Sequence, residues 1–157
     1  MIIVSMEARH IPALAQIEQA CFSTPWTANA LQEELGKGIF LVAEQENNIM
    51  GYVGCQTVLD EGYITNVAVA SSYRRQGVGR ALIQSLQTQA RANNLTFVTL
   101  EVRASNEPAI TLYRQMGFTM VGMRFHFYTM PDEDALLMTW YAATNSPLQN
   151  EGRERTV

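Results

Sequence analysis

Arg74-Arg75-Gln76-Gly77-Val78-Gly79-Arg80-Ala81 is the densest concentration of chemistry in the chain. If the backbone turns here from a strand into a helix, the first amides of that helix lack carbonyl partners. They then converge on one point, with the positive end of the helix dipole behind them. Such a point holds a phosphate. Gly77 and Gly79 let the backbone approach an anion with no Cβ in the way. Two other phosphate signatures fail on this string: a Walker loop needs G-x-x-x-x-G-K-[ST], and a dinucleotide fingerprint needs a third glycine where Leu82 stands. Without a ligand, the same residues read as a plain glycine connection.

Glu101 is the second candidate. It interrupts the apolar run Phe97-Val98-Thr99-Leu100-Glu101-Val102, where burying a carboxylate is costly unless it has a partner or a use. The alternative to a chemical role is a structural ion pair with Arg103 or Arg124. Tyr113 lies beside Ala109, Leu112 and Met116, the apolar face of a helical segment, so packing alone accounts for it as well as chemistry does. Asn106, just ahead of Glu107-Pro108, is a good helix N-cap. Trp26 and Tyr128 either line a groove or pack. His10 and His126 have no partner spacing for a metal or a triad. Cys21 and Cys55 stand too far apart for a redox or metal pair, and both read as small buried packing residues.

These residues must be placed by regular elements, and the hydrophobic period predicts them. A strand over residues 2–4 leads to a helix over 11–20. A short helix capped by Thr27 follows and ends at Gly36-Lys37-Gly38. Strands over 40–44, 50–57 and 63–70 are joined by turns at Glu46-Asn47-Asn48 and Asp60-Glu61-Gly62, which suggests an antiparallel meander. After the glycine turn, Ala81, Leu82, Leu86 and Ala90 recur at helical spacing up to Asn93-Asn94, and a strand over 96–102 follows. Strand, helix and strand in that order form a crossover with parallel strands, placing the glycine turn where open α/β sheets bind ligands. A helix over 106–116 stopped by Gly117 and strands over 118–128 and 135–141 complete the pattern. Residues 145–157 are polar and read as a frayed tail.

With 157 residues, 47% hydrophobic and 17% charged, the chain suits one domain with one core. No apolar run approaches the roughly 18 residues of a membrane helix, and the start lacks a signal-peptide layout, so the expected compartment is the cytoplasm. A net charge of -4 argues against nucleic acid as a partner and weakly favours a cationic or amine-bearing one. Lys37 is the lone lysine, which leaves no lysine nucleophile in the motifs and makes Schiff-base chemistry a poor fit.

Arg74-x-x-Gly77-x-Gly79 matches the [QR]-x-x-G-x-[GA] pyrophosphate motif, and with the preceding Tyr63-Ile64-Thr65-Asn66-Val67-Ala68-Val69 it resembles the GNAT acetyltransferases. Leu100-Glu101-Val102-Arg103-Ala104-Ser105-Asn106, then Ala109-Ile110-x-Leu112-Tyr113 and Gly117-Phe118, resemble the RimI-type branch, which acetylates the N-terminal alanine of a small-subunit ribosomal protein. Phe22-x-x-Pro25-Trp26 and Glu133-Asp134-Ala135-Leu136-x-Met138 extend the likeness over nearly the whole chain. Phe127-Tyr128 departs from it, since two tyrosines are expected there, and the turn from Thr129 to Asp132 is compact. Both features bear on the peptide groove.

The resemblance implies an α/β GNAT fold: a mixed central sheet of about six to seven strands flanked by helices, with acetyl-CoA at splayed parallel strands. The domain would span residues 1–143, with a polar tail over 144–157. The backbone of Val67, Ala68 and Val69 would hold the acetyl-pantetheine arm and polarise the thioester carbonyl. Arg75, Gln76, Gly77, Val78, Gly79 and Arg80 would hold the pyrophosphate, and Asn106 would lie against the arm. Glu101 would be general base for an α-amine, whose conjugate acid has a pKa of about 7.7 to 8.0, acting directly or through water. Tyr113 would be general acid to the departing thiolate. No metal is implied, and the implied partner is a protein N-terminus, that of a ribosomal protein, with no nucleic acid and no membrane. Competing readings are a GNAT enzyme acting on lysine side chains or small amines, and a catalytically silent acyl-CoA sensor.

Overall fold

The structure, a computed structural model, describes residues 1–142. The expected domain boundary after residue 143 and the polar tail lie outside the described residues.

Strand β1 (Ile2–Ser5) leads through a single 3-10 turn (Ala8–His10) into α1 (Ile11–Cys21) and α2 (Ala28–Glu33). The meander follows as β2 (Ile39–Gln45), β3 (Asn48–Val58) and β4 (Glu61–Val69), each antiparallel to its neighbour. Helix α3 (Val78–Ala92) crosses to β5 (Phe97–Arg103), which pairs in parallel with β4. Helix α4 (Glu107–Gln115) and strands β6 (Thr119–Tyr128) and β7 (Glu133–Tyr141) complete a seven-stranded sheet in the order β1-β2-β3-β4-β5-β7-β6. β7 therefore sits between β5 and β6.

Boundaries follow local chemistry. The turn between β2 and β3 is Glu46-Asn47, both left-handed with φ of 51° and 69°, which suits the twist of a tight hairpin. The turn between β3 and β4 is Leu59-Asp60, earlier than the expected Asp60-Glu61-Gly62, because Glu61 and Gly62 already pair with Val58 and Thr57. Helix α2 ends at Glu33, short of Gly36-Lys37-Gly38, since Glu34 and Leu35 close the helix with bonds to Leu31 and Gln32. The side chain of Thr27 caps its start, accepting from the Ala30 amide at 3.1 Å.

Helices cover both faces of the sheet, so β2 is buried on each. Leu41 and Ala43 face α3, while Phe40 and Val42 face α1 and α2. On α3 the side chains of Leu82, Ile83 and Leu86 are fully buried against Val53, Val98 and Met138. Each contributes about 1.5–3 kcal/mol by leaving water.

One irregularity in β4 positions everything that follows. Gly54 pairs with Asn66 but Cys55 with Ile64, so Thr65 is an extra residue, a β-bulge. The bulge breaks the alternation of faces. Ile64 packs with Leu100 and α3, whereas Asn66 and Ala68 turn to the α1 side. Parallel pairing of β4 with β5 runs only from Glu61↔Phe97 to Ile64↔Leu100. Beyond the bulge the strands part, β4 staying with β3 and β5 with β7. Their separation opens a wedge in the sheet.

Candidate active site

The wedge forms the floor of a cavity of about 520 Å³. Ile64, Thr65, Asn66 and Val67 of β4 form one wall, and Leu100 to Arg103 of β5 form the other. Asn106 and Tyr113 enter from the α4 side, and Cys21 to Thr24, Trp26, Tyr128, Met130 and Pro131 supply the rim. A smaller cavity, about 260 Å³, lies around Glu34 to Leu41 and contains none of the candidate residues.

Glu101 stands on the β5 wall with only 5% of its side chain exposed. Its Oε2 accepts a short hydrogen bond from the Tyr63 hydroxyl, and Oε1 lies 3.3 Å from Arg124 Nε. Of the two arginines considered from sequence, the geometry selects Arg124. Arg103 turns away, donating to Pro131 O at 3.0 Å and Thr129 O at 3.2 Å and lying 3.4 Å from Glu133. Arg103 thereby holds the compact β6–β7 connection, and its guanidinium stacks 4.4 Å from the Tyr128 ring centroid. Burial, then the nearby Glu101 charge, pushes the Tyr128 phenol up to about 12. The Tyr63 phenol is raised by burial first and then by its bond to Glu101, so it stays a donor.

Tyr113 is buried, its ring tilted against Phe118 at 5.8 Å between centroids. Its hydroxyl has no hydrogen-bond partner among the described residues, and the residue lines the cavity. Burial raises this phenol too, which keeps its proton on at neutral pH. Asn106 caps α4, Oδ1 accepting from the Ala109 amide at 3.3 Å, and its NH₂ group has no partner among the described residues.

The β4 backbone is divided by hydrogen-bond alternation. The Ala70 amide donates to Met50 O at 2.9 Å, so the next bonded pair along the ladder is Ala68 with Tyr52. Val67 and Val69 then turn their backbone groups to the open side, while those of Ala68 are spent on β3. The Val69 carbonyl meets Arg74 Nε at 3.3 Å, which ties the start of the glycine turn to the end of β4.

In that turn Arg75 and Gly77 both have positive φ, 63° and 79°. The α3 ladder begins with Ala81 N–H donating to Gly77 O at 3.0 Å, so the amides of Val78, Gly79 and Arg80 start the helix without ladder partners. Helix α3 has fifteen residues, long enough for a full dipole. These features suit a phosphate-bearing ligand. The Gln76 side chain is committed to Ser72 O at 3.2 Å, and Arg80 to Gln115 and to Met116 Sδ. The two glycines differ. Nothing lies within 4 Å of a Cβ placed on Gly77, whereas one on Gly79 would meet Leu112 Cδ2 at 3.3 Å. Gly77 serves the left-handed turn, and Gly79 the close approach of α3 to α4.

The fold thus gathers Val67, Glu101, Asn106, Tyr113, Trp26 and Tyr128 around one cavity, while residues 75–80 and the side chains of Ala68 and Val69 stand outside its lining. Cys55 is buried, its thiol pushed up to about 12 by desolvation, while Cys21 is half-buried beside Arg74 and the cavity rim. His126 contacts Asp132 at 2.8 Å at the surface, and His10 is buried near Glu44. Among the described residues no three His, Cys, Asp or Glu side chains converge as a metal site.

Two residues that hold the site were not singled out from sequence. From sequence Tyr63 marks only the start of the strand before the glycine turn, and its parallel register beside β5 is what brings its hydroxyl to Glu101. Glu18 read as one position in an amphipathic helix. It is fully buried and accepts from the Tyr52 hydroxyl, from Asn66 Nδ2 at 2.6 Å and from the Trp26 amide at 3.2 Å. Burial raises its pKa and the three donors oppose that rise. A signal was available: a glutamate at the buried period of α1, like Glu101 in its strand, breaks an apolar face.

A family model described as Acetyltransferase (GNAT) family matches residues 11–118. The chain is 36% identical over 139 residues to the [ribosomal protein bS18]-alanine N-acetyltransferase of Escherichia coli (strain K12), covering 87% of this chain and 94% of that one. It is 36% identical over 132 residues to the protein of the same name from Haemophilus ducreyi, covering 82% and 91%. Among solved structures, the ribosomal-protein-S18-alanine N-acetyltransferase from Escherichia coli superposes with a TM-score of 0.84 at 33% identity, covering 93% and 96%. Ard1 from Thermoplasma volcanium superposes with a TM-score of 0.83 at 25% identity, covering 89% and 96%.

Proposed function

The chain belongs to the GNAT acetyltransferase family, and we propose that it transfers acetyl from acetyl-CoA to the α-amine of a protein N-terminus, that of alanine on a small-subunit ribosomal protein. The observation that carries this reading is the wedge between β4 and β5, a cavity lined by a nearly buried carboxylate and by a phenol with no hydrogen-bond partner among the described residues. Relatives bearing that activity in their names cover most of the chain and support the choice of acceptor.

In this mechanism the pyrophosphate of acetyl-CoA lies on the amides of residues 75–80, and the pantetheine arm runs along the open side of β4 past Asn106. The outward amides of Val67 and Val69 polarise the thioester carbonyl. Glu101 takes a proton from the α-ammonium, directly or through water, and the freed nitrogen lone pair attacks the thioester carbon. The nitrogen, now carrying one proton too many, releases it to solvent as the tetrahedral intermediate collapses; the C–S bond breaks with its electron pair on sulfur, and the thiolate accepts a hydrogen bond from Tyr113. A thiol's pKa of about 8.5 lies below that of a buried phenol, so complete transfer of the Tyr113 proton is uphill and the donor acts mainly by stabilising charge on sulfur. No covalent enzyme intermediate is required. Trp26 and Tyr128 flank the acceptor's first residues, residues 1–143 form the catalytic domain, and the setting is the cytoplasm.

Mass spectrometry of acetyl transfer to peptides beginning with Ala, Ser or Met, and to one with an internal Lys, tests the proposal. Preferential labelling of the free N-terminal Ala is expected. Labelling of Lys alone would move the function to side-chain acetylation, and binding of acetyl-CoA without transfer would make the protein a sensor.

A further inference from the structure

In the acceptor-free protein both oxygens of Glu101 are occupied. Tyr63 holds Oε2 from within the sheet, and Arg124 lies against Oε1 from the surface. The two contacts are of different kinds. The Tyr63 contact is a short hydrogen bond from a half-buried phenol, set by the parallel pairing of β4 with β5. The Arg124 contact is an ion contact at 3.3 Å without hydrogen-bond geometry, made by a side chain that is 57% exposed. On its far side that guanidinium meets the Phe127 ring, 5.6 Å from its centroid, a weak cation–π contact. Arg124 is also the last residue of β6 in register with β7, opposite Ala135. Pairing resumes only at Tyr128 opposite Glu133. A cation is therefore held loosely on the oxygen that an incoming amine must reach.

We propose that Arg124 is a displaceable counter-cation, a positioning residue that neutralises Glu101 until the acceptor's α-ammonium takes its place. The inference rests on the reading of Glu101 as the carboxylate that meets the acceptor amine. A nearly buried carboxylate without a cation is costly, so the guanidinium stabilises the waiting site, and its removal is part of the cost of binding. The substrate brings an equivalent charge, and Glu101 stays paired throughout. An acceptor without a cationic nitrogen cannot complete the exchange, which turns the ion pair into a filter against blocked N-termini. Because the guanidinium is exposed and held on its far side only by the weak contact with Phe127, it can swing into water at little cost.

The test is the affinity of an N-terminal Ala peptide for the CoA-bound protein, measured by titration calorimetry with a pre-acetylated peptide as control. Arg124→Met is expected to tighten binding of the free-amine peptide by about two- to five-fold, the upper range of an exposed ion pair, and to leave the acetylated peptide and CoA unchanged. Arg124→Lys, which restores a cation, should return most of the parental value. In a Glu101→Gln background, Arg124→Met should have no effect, because the charge it competes for is gone. Weaker binding in Arg124→Met, or an equal change in both backgrounds, would overturn the proposal by making Arg124 a contact of the peptide itself. If instead the parent binds free and acetylated peptides equally and Glu101→Gln turns over normally, the reading of Glu101 fails, and the inference with it.

Discussion

Tyr113→Phe removes a single oxygen, and the structure assigns that oxygen almost no role in stability. The hydroxyl has no described partner and the ring is held by its tilted contact with Phe118, so stability should change by less than about 0.5 kcal/mol. For a domain of this size that is under about 2 °C in Tm. Turnover should respond far more. A hydrogen bond to a charged acceptor contributes about 1.5–3 kcal/mol, so losing it at the departing sulfur predicts a roughly 10- to 150-fold fall in kcat. The raised phenol pKa favours the lower part of that range, because a weaker acid shares less of its proton with sulfur. Tyr113→Ala separates packing from chemistry. It leaves a cavity costing about 3–5 kcal/mol, or roughly 6–20 °C in Tm. Steady-state rates on an N-terminal Ala peptide at saturating acetyl-CoA, beside thermal melts, read both quantities. Parental kcat in Tyr113→Phe would remove the phenol from the mechanism.

Other consequences follow from the same geometry. Glu101→Gln should lower turnover at neutral pH with little change in acetyl-CoA affinity, and the deficit should shrink as rising pH supplies free amine; a pH-independent deficit in the rate profile would indicate a structural role. Gly77→Ala forces a Cβ into a left-handed turn at a cost of about 1–2 kcal/mol without a clash, so CoA should give a smaller thermal shift while the protein stays folded. Gly79→Val should lose melting temperature as well, because its side chain meets Leu112. Glu18 has a folded-state pKa raised by burial, so the folded protein binds its proton more tightly than the unfolded chain does. Its contribution to stability is therefore fully present below the unfolded value of about 4.5 and declines as pH rises towards the folded value. Urea unfolding across pH should show that decline in the parent and a flatter profile in Glu18→Gln; identical profiles would refute it.

The amino-acid sequence determined what depends on near neighbours. The glycine turn, the caps at Thr27 and Asn106, the meander and the crossover all follow from residues within a few positions of one another, where hydrophobic period and capping chemistry act. Glu101 was legible because a carboxylate in an apolar strand is costly wherever it is buried. The choice of Arg124 over Arg103 as its partner was not, since Arg103 shares β5 with Glu101 whereas Arg124 lies on β6, and only the insertion of β7 between β5 and β6, with its register, decides which reaches. Tyr63 escaped because its partner is 38 residues away and nothing local marks it; Glu18 broke the apolar face of its helix, but its phenol partner, 34 residues away, was equally out of local reach. The bulge at Thr65 is the clearest case. A strand pattern predicts strict alternation, and one extra residue reverses which side chains face α1 and ends the pairing with β5 at Ile64. Short-range physics made the strands, but the wedge between them exists only because their long-range registers conflict.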